Sequence, residues 1–98
     1  DDLLRLSVVG EYERKNDKYT DKKVFLENGI SWLYLNGEKV EHDYKWTLVN
    51  GEIHIGVDNI GVFIINKDKS ITQIAYINDG KRTDIPKRRN GTTYKKIK

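Results

Sequence analysis

The sequence predicts an all-β domain, an antiparallel meander of about eight to nine strands that curls into a small up-and-down barrel or a strongly bent sheet. Three Asn-Gly dipeptides, at 28–29, 36–37 and 50–51, separate runs rich in β-branched and aromatic residues. Asn-Gly between such runs is the strongest short-range hairpin signal. No connection is long enough for the helical crossover that parallel strands need, and a meander hides its edges best by curling or closing.

Composition predicts a single domain, 1–98, with one thin core, because 37% of the residues are hydrophobic and 34% are charged. No apolar run approaches the ~18 residues of a transmembrane helix. The chain has no cysteine, which excludes disulfides and thiolate zinc sites. It begins at Asp1 without a methionine, so we expect that a leader, a lipid-anchored segment or an upstream domain has been removed. A secreted or cell-envelope location is therefore favoured over a cytoplasmic one.

The first elements are a short helical turn and two strands. Residues 1–6 are predicted to form one helical turn, because acidic residues at its start suit the positive end of a helix. Residues 7–14 and 19–27 alternate as strands do, and the polar residues 15–18 form the turn between them.

The later elements are short strands separated by polar turns. After the central hairpins, residues 71–78, 81–85 and 92–97 are predicted as strands. Pro86 ends the strand before it, since proline cannot donate a hydrogen bond to a neighbouring strand.

Two-residue turns fix which residues face each other, because side chains alternate between the faces of a sheet. The predicted pairs are Val24–Leu33 and Phe25–Trp32 around 28–29, Leu33–Val40 around 36–37, Trp46–Ile55 around 50–51, and Ile55–Val62 around 58–59. These registers agree on one core face, which consists of Val24, Leu26, Leu33, Leu35, Val40, Tyr44, Trp46, Leu48, Ile53, Ile55, Val57, Ile60, Val62 and Ile64.

Four segments carry a resemblance to a known protein family. Gly10-Glu11-Tyr12 opens the first strand, and the hairpin segments 25–29, 45–53 and 65–71 follow it. Over residues 8–78 the chain resembles the small lipocalin-like domains of bacterial proteins. The resemblance implies a β-barrel that binds a ligand or a partner, and it implies no catalysis. Tyr12 stands where lipocalins carry a tryptophan, and the chain is short, which argues against a roomy internal pocket.

The sequence indicates a non-enzymatic binding or accessory domain with no cofactor. It contains no Ser/His/Asp arrangement, Gly-rich phosphate loop or nucleotide fingerprint. His42 and His54, the only histidines, fall on opposite faces of the predicted sheet, so they cannot share a metal ion. No metal site is therefore predicted.

An aromatic patch is the first candidate binding site. Phe25, Trp32 and Tyr34 fall on the face opposite the predicted core, where an apolar patch is typical of a surface that binds a protein partner or a small apolar ligand. Two other interpretations stay open. The apolar residues of segment 3–6 could cover the patch, or a bulge could turn Trp32 and Tyr34 inward.

A basic segment is the second candidate. Residues 1–80 carry ten Lys/Arg against fourteen Asp/Glu. Residues 81–98 carry eight Lys/Arg against a single Asp. The candidate patch consists of Lys81, Arg82, Lys87, Arg88 and Arg89. It indicates binding of nucleic acid or an anionic surface as the alternative function. The other interpretation is that these cations protect an edge strand from pairing with a neighbouring chain.

The nucleic-acid alternative predicts a salt-dependent effect. If phosphate contacts matter, neutralising Arg88 and Arg89 weakens binding and flattens its dependence on salt concentration, because fewer counterions are released. Retention on heparin across a salt gradient measures this effect. Unchanged retention of the double variant would argue against the basic patch.

Overall fold

The computed structural model describes residues 2–86 and 92–98, which form a closed, eight-stranded, all-antiparallel β-barrel. Its elements are α1 (Asp2–Val8), β1 (Gly10–Lys15), β2 (Thr20–Phe25), β3 (Ile30–Leu35), β4 (Glu38–Lys39), β5 (Tyr44–Val49), β6 (Glu52–Ile55), β7 (Asn59–Ile65), β8 (Ile71–Asn78), β9 (Lys81–Asp84) and β10 (Thr93–Lys96). The predicted fold class is confirmed. The candidate residues Lys87, Arg88 and Arg89 lie outside the described residues.

The barrel wall follows the chain order closely. Neighbouring strands run β1-β2-β3-β5-β6-β7-β8, and β10 closes the ring by pairing with both β8 and β1. The short strands β4 and β9 lie off this ring, where they pair with β3 and β8 respectively. Closure gives each strand of the ring two neighbours, which solves the edge problem of an open meander.

Three hairpins have the two-residue turns that their sequences predict. Asn36, Asn50 and Asp79 each have a φ near +50°, and each is followed by a glycine that also has a positive φ. This geometry matches the right-handed twist of the flanking strands. Across the turn at 50–51, Trp46 faces Ile55 as predicted.

The hairpin between β2 and β3 differs from its prediction by one residue. Leu26 and Ile30 flank a three-residue loop, in which the Leu26 N–H donates to the Ile30 carbonyl at 2.9 Å. Gly29 has a φ of +86°, whereas Asn28 has no positive φ. Asn-Gly also fits the last two positions of a three-residue loop that ends in a left-handed glycine. The predicted two-residue turn at 28–29 is therefore wrong.

The extra loop residue reverses the two faces of β2 relative to β3. Phe25 pairs with Ser31 and not with Trp32, and Lys23 pairs with Leu33. Phe25 is 1% exposed and belongs to the core. The predicted aromatic patch is thus divided, because Phe25 lies inside the barrel while Trp32 lies on the opposite face of the wall.

A second shift occurs between β6 and β7. Ile55 faces Gly61 and Ile53 faces Phe63, so the predicted Ile55–Val62 pair is wrong. Gly56 precedes β7 with a φ of +114°, and a side chain there would collide with the backbone of Asn59. This glycine permits the turn that brings Phe63 into the core.

The core contains several aromatic residues that the predicted core face missed. Its buried cluster consists of Val8, Tyr12, Phe25, Trp46, Ile53, Phe63, Ile71 and Tyr94. Trp46 and Ile53 are correct members of the predicted face, whereas Leu35 and Val57 are 46% and 66% exposed. The Phe25 ring makes edge-to-face contacts with Tyr12 and Trp46, at centroid distances of 5.3 and 5.5 Å. Such pairs stabilise a core beyond simple area burial.

Helix α1 packs against this aromatic cluster. The Tyr12 hydroxyl donates to the Val8 carbonyl at 2.7 Å, and the Arg5 guanidinium lies 4.6 Å from the centre of the Trp46 ring. The predicted helical turn is therefore present. It extends to Val8, so the first strand begins later than predicted, at Gly10. Among the described residues, no helix has the length and apolar character needed to cross a bilayer.

The corrected register predicts opposite consequences for two aromatic substitutions. Phe25→Ala should lower the free energy of unfolding by about 3–5 kcal/mol, because it opens a cavity in the core. Trp32→Ala should cost clearly less, because Trp32 is only half-buried. Urea denaturation of both variants measures the difference. A larger loss for Trp32→Ala would contradict the observed register.

Candidate functional site

A cavity of about 210 Å³, partly open to solvent, lies within the barrel wall. Six neighbouring strands of the ring line it, with Lys23 from β2, Ser31, Trp32 and Leu33 from β3, Tyr44 from β5, Ile55 from β6, Asn59, Gly61 and Phe63 from β7, and Gln73 from β8. Pockets for drug-sized ligands have volumes of about 300–1,000 Å³. The cavity therefore suits a more compact molecule.

Small and apolar residues give the cavity its shape. Gly61 occurs where a side chain would be crowded, since an added Cβ would lie 3.1 Å from the edge of the Phe63 ring. Leu33 and Ile55 complete an apolar wall with Phe63. An apolar body therefore has a matching surface in this cavity.

Among the residues that the structure describes, Lys23 is the only charged one that lines the cavity. The alternation of β2 places it on the same face as the core residue Phe25. Its ammonium lies 5.1 Å from the centre of the Tyr94 ring and 5.8 Å from that of Phe63. Burial lowers the pKa of Lys23, an effect that the charge of Asp21 opposes and that of Arg14 reinforces. Lys23 is half-buried, so its ammonium is partly removed from water, which costs free energy unless an anion accompanies it.

One oxygen of the nearby Asp21 carboxylate is already engaged by other groups, whereas the other, Oδ1, is buried and has no hydrogen-bond partner among the described residues. Asp21 is 8% exposed, and its Oδ2 accepts a hydrogen bond from the Tyr94 hydroxyl at 2.7 Å and one from Arg14 at 3.4 Å. Burial, followed by the hydrogen bond to Asp21, raises the pKa of Tyr94. Among the described residues, Lys23 forms no ion pair. Arg14 and Lys23 together outnumber Asp21, so this cluster carries one surplus positive charge.

Two neutral polar groups of the cavity also lack partners. Ser31 is 2% exposed, and its hydroxyl has no hydrogen-bond partner in residues 2–86 and 92–98. The Asn59 side-chain amide has no partner there either, but Asn59 is exposed. The Gln73 amide donates to the Ala75 carbonyl at 3.3 Å. Buried polar groups in folded proteins are nearly always satisfied. The Ser31 hydroxyl is therefore a group that a bound molecule or water would satisfy, whereas the exposed Asn59 amide is satisfied by solvent.

The residues of the aromatic patch occupy two different environments. Phe25 is inside the barrel and cannot contact a partner in the folded state. Trp32 and Tyr34 are half-buried, and the Lys39 and Lys22 ammonium groups lie 5.2 and 4.5 Å from their ring centres. Partner binding through Trp32 and Tyr34 stays a prediction.

The described part of the basic patch lies on β9. Arg82 donates two hydrogen bonds to the Glu52 carboxylate, at 2.9 and 3.0 Å, and a third to Asp84 at 3.0 Å. The hydrogen bonds from Arg82 lower the pKa of Glu52. Arg82 therefore has acidic partners within the protein, whereas Lys81 extends from the same exposed strand. Nucleic-acid binding stays a prediction.

The two histidines lie in separate surroundings. The His42 ring makes an edge-to-face contact with Tyr44 at 4.6 Å, whereas His54 Nε2 lies 3.4 Å from a Glu52 carboxylate oxygen. Within the described ranges, no group of three or more His, Asp or Glu residues is arranged to hold a metal ion.

Sequence reasoning missed Lys23, Asp21 and Arg14 as interior residues. The β2 sequence, TDKKVF, places one apolar residue and at least one charged residue on each face, so its alternation does not choose between the faces. The signal that could have found Lys23 is the second turn type compatible with Asn28-Gly29.

The fold and this site define the molecule as a small, closed, antiparallel β-barrel with a cavity inside its wall. No family model, curated protein or solved structure significantly matches the chain.

The buried charge predicts a stability difference between two neighbouring lysines. Lys23→Met should raise the free energy of unfolding at neutral pH by about 1 kcal/mol, because it removes a desolvated charge and keeps the volume of the side chain. Lys22→Met is the matched control. Lys22 lies on the opposite face of β2, where it pairs with Glu11 at 3.1 Å, so its replacement should be neutral or slightly destabilising.

The advantage of Lys23→Met should also depend on pH. Because the pKa of Lys23 is lowered in the folded state, the unfolded chain binds more protons between that pKa and its ordinary value of 10.5. The free energy of unfolding of the wild-type protein therefore rises with pH across this range. The difference in that free energy between Lys23→Met and wild type narrows as a result. Urea denaturation at several alkaline pH values measures it. A constant difference would mean that the folded protein does not disfavour the charged form of Lys23.

Proposed function

We propose that this domain binds a small organic molecule in the cavity of its barrel and acts by binding, without catalysing a reaction. The observation that carries the proposal is the cavity of about 210 Å³, with an apolar wall and a few polar groups without partners. Binding sites for small molecules combine these two features, since apolar walls supply affinity and a few polar groups fix orientation.

The construction of the wall supports binding by a largely preformed site. The strands that line the cavity belong to a closed ring, so they are held by neighbours on both sides. A rigid site keeps its shape when it is empty, and a ligand then loses less free energy to ordering the protein. Helix α1 contributes no residue to the lining, which leaves its packing on the aromatic core unaffected by a ligand.

The proposal favours a ligand that combines a compact apolar body with one polar end. Leu33, Ile55 and Phe63 offer apolar surface, whereas Lys23, Ser31 and Asn59 offer polar groups. A purely apolar molecule would leave these polar groups unsatisfied, at a cost of about 1–3 kcal/mol for each one that is buried.

A cavity-filling substitution tests the site. Leu33→Trp should fill the cavity and abolish binding of benzamide, a compact probe with a flat apolar ring and a neutral polar end. Leu35→Trp is the matched control, because Leu35 lies two residues along the same strand but is exposed and lines no part of the cavity. Changes in the backbone amide NMR shifts of Gly61 and Gln73 report occupancy, and the spectra of the free variants report folding.

Two results would overturn the proposed function. The first is the absence of any shift change in the wild-type protein with benzamide and with its charged analogues. The second is equal binding by wild type and a folded Leu33→Trp variant, which would place the probe elsewhere on the molecule.

A further inference from the structure

We infer that the natural ligand of this cavity carries a single carboxylate group, which binds to the Lys23 ammonium. This inference rests on the proposed function and adds the chemical class of the ligand. Within residues 2–86 and 92–98, Lys23 is the only charged residue that lines the cavity. An ammonium donates hydrogen bonds and accepts none, so its partner must supply an acceptor.

The charge of the interior explains why that acceptor should be an anion. Asp21 is held by Arg14 and by Tyr94, through contacts of 3.4 and 2.7 Å, and it forms no ion pair with Lys23. The surplus positive charge is thus located on the residue that borders the cavity. An anion placed there balances the interior charge and recovers part of the electrostatic free energy that Lys23 lost on leaving water.

The neutral donors indicate a group with more than one acceptor. The buried Ser31 hydroxyl and the exposed Asn59 amide line the same cavity, and neither has a hydrogen-bond partner among the described residues. A carboxylate has two oxygens with about four acceptor positions, so it can receive hydrogen bonds from Lys23 and from a neutral donor together. Charge-assisted hydrogen bonds of this kind are the stronger ones in proteins.

The magnitude of the charge favours a carboxylate over a phosphate monoester. One surplus charge matches a monoanion, whereas a phosphate monoester carries a charge between about −1.5 and −2 at neutral pH. Proteins that clamp phosphates commonly use arginine forks or several cations, and Arg14, the other cation of the interior cluster, is not among the lining residues.

The apolar wall accounts for the rest of the ligand. Leu33, Ile55 and Phe63 border the cavity, and the edge of the Phe63 ring lies beside Gly61. With its carboxylate at Lys23, a compact molecule can direct its apolar body along these side chains. The class that fits is therefore a small aromatic or branched aliphatic monocarboxylic acid.

A series of three probes of nearly equal shape tests the assignment. Benzoate, benzamide and benzylamine share one ring and carry negative, zero and positive charge at neutral pH. Wild-type protein should bind benzoate at least roughly tenfold more tightly than benzamide, as expected for a hydrogen bond between charged groups, and should bind benzylamine most weakly. Titrations followed through the amide shifts of Gly61 and Gln73 give the three dissociation constants.

Three lysine variants identify the residue responsible. Lys23→Met and Lys23→Gln both remove the charge, and Lys23→Gln keeps a hydrogen-bond donor, so at least one variant should remain folded and measurable. Each should lose the preference for benzoate while it retains affinity for benzamide. Lys22→Met, on the opposite face of β2, should keep the wild-type order.

The outcomes separate this inference from the proposed function. Binding of benzamide as tight as that of benzoate in wild type would overturn the carboxylate assignment and leave the binding function standing. A preference for benzoate that survives in Lys23→Gln would assign the anion to another residue, and tighter binding of phenyl phosphate would replace the carboxylate by a phosphate. Failure of all three probes to bind would overturn both proposals.

Discussion

The barrel depends on the length of one turn. Three residues separate Leu26 from Ile30. This loop length sets the pairing of β2 with β3, and it therefore determines which side chains of β2 point into the barrel. A loop one residue shorter would exchange the two faces, because side chains alternate along a strand. Phe25 would then leave the core, and Lys23 would leave the cavity. Gly29, with its φ of +86°, makes the three-residue loop possible without strain.

The inner face of β2 divides the interior into two parts. Phe25 contacts the aromatic residues against which α1 packs, whereas Asp21 forms the charged cluster with Arg14 at the other end of the strand. Lys23 lies between these two environments and beside the cavity. The apolar end supplies most of the packing energy of a thin core, and this leaves the other end free to hold polar groups that reduce stability.

The strands and most turns of the barrel could be predicted from the sequence, but which side chains of β2 point inward could not. The turns at 36–37, 50–51 and 79–80 and the Trp46–Ile55 pair follow from local turn chemistry, which short-range sequence encodes. Leu33 and Ile55, two walls of the cavity, were on the predicted core face. The position of Lys23 was not predictable in the same way, because Asn28-Gly29 is compatible with two turns and both faces of β2 mix charged and apolar residues. Only contacts distant in sequence, such as Phe25 with Trp46, decide between the two.

A half-buried lysine that faces the interior of so small a protein is difficult to explain by stability alone. Fewer than two-fifths of the residues are hydrophobic, so the core has little free energy to spare, and a desolvated ammonium reduces it further. An apolar residue at position 23 would fill the same space at lower cost. Asp21 binds Arg14 and Tyr94 through its Oδ2 and forms no ion pair with Lys23, although its buried Oδ1 has no hydrogen-bond partner among the described residues. A bound anion would give Lys23 the ion-pair partner that it lacks among the described residues. The same desolvation that destabilises the empty barrel would then strengthen the attraction for a ligand, because both effects arise from the exclusion of water around one ammonium group.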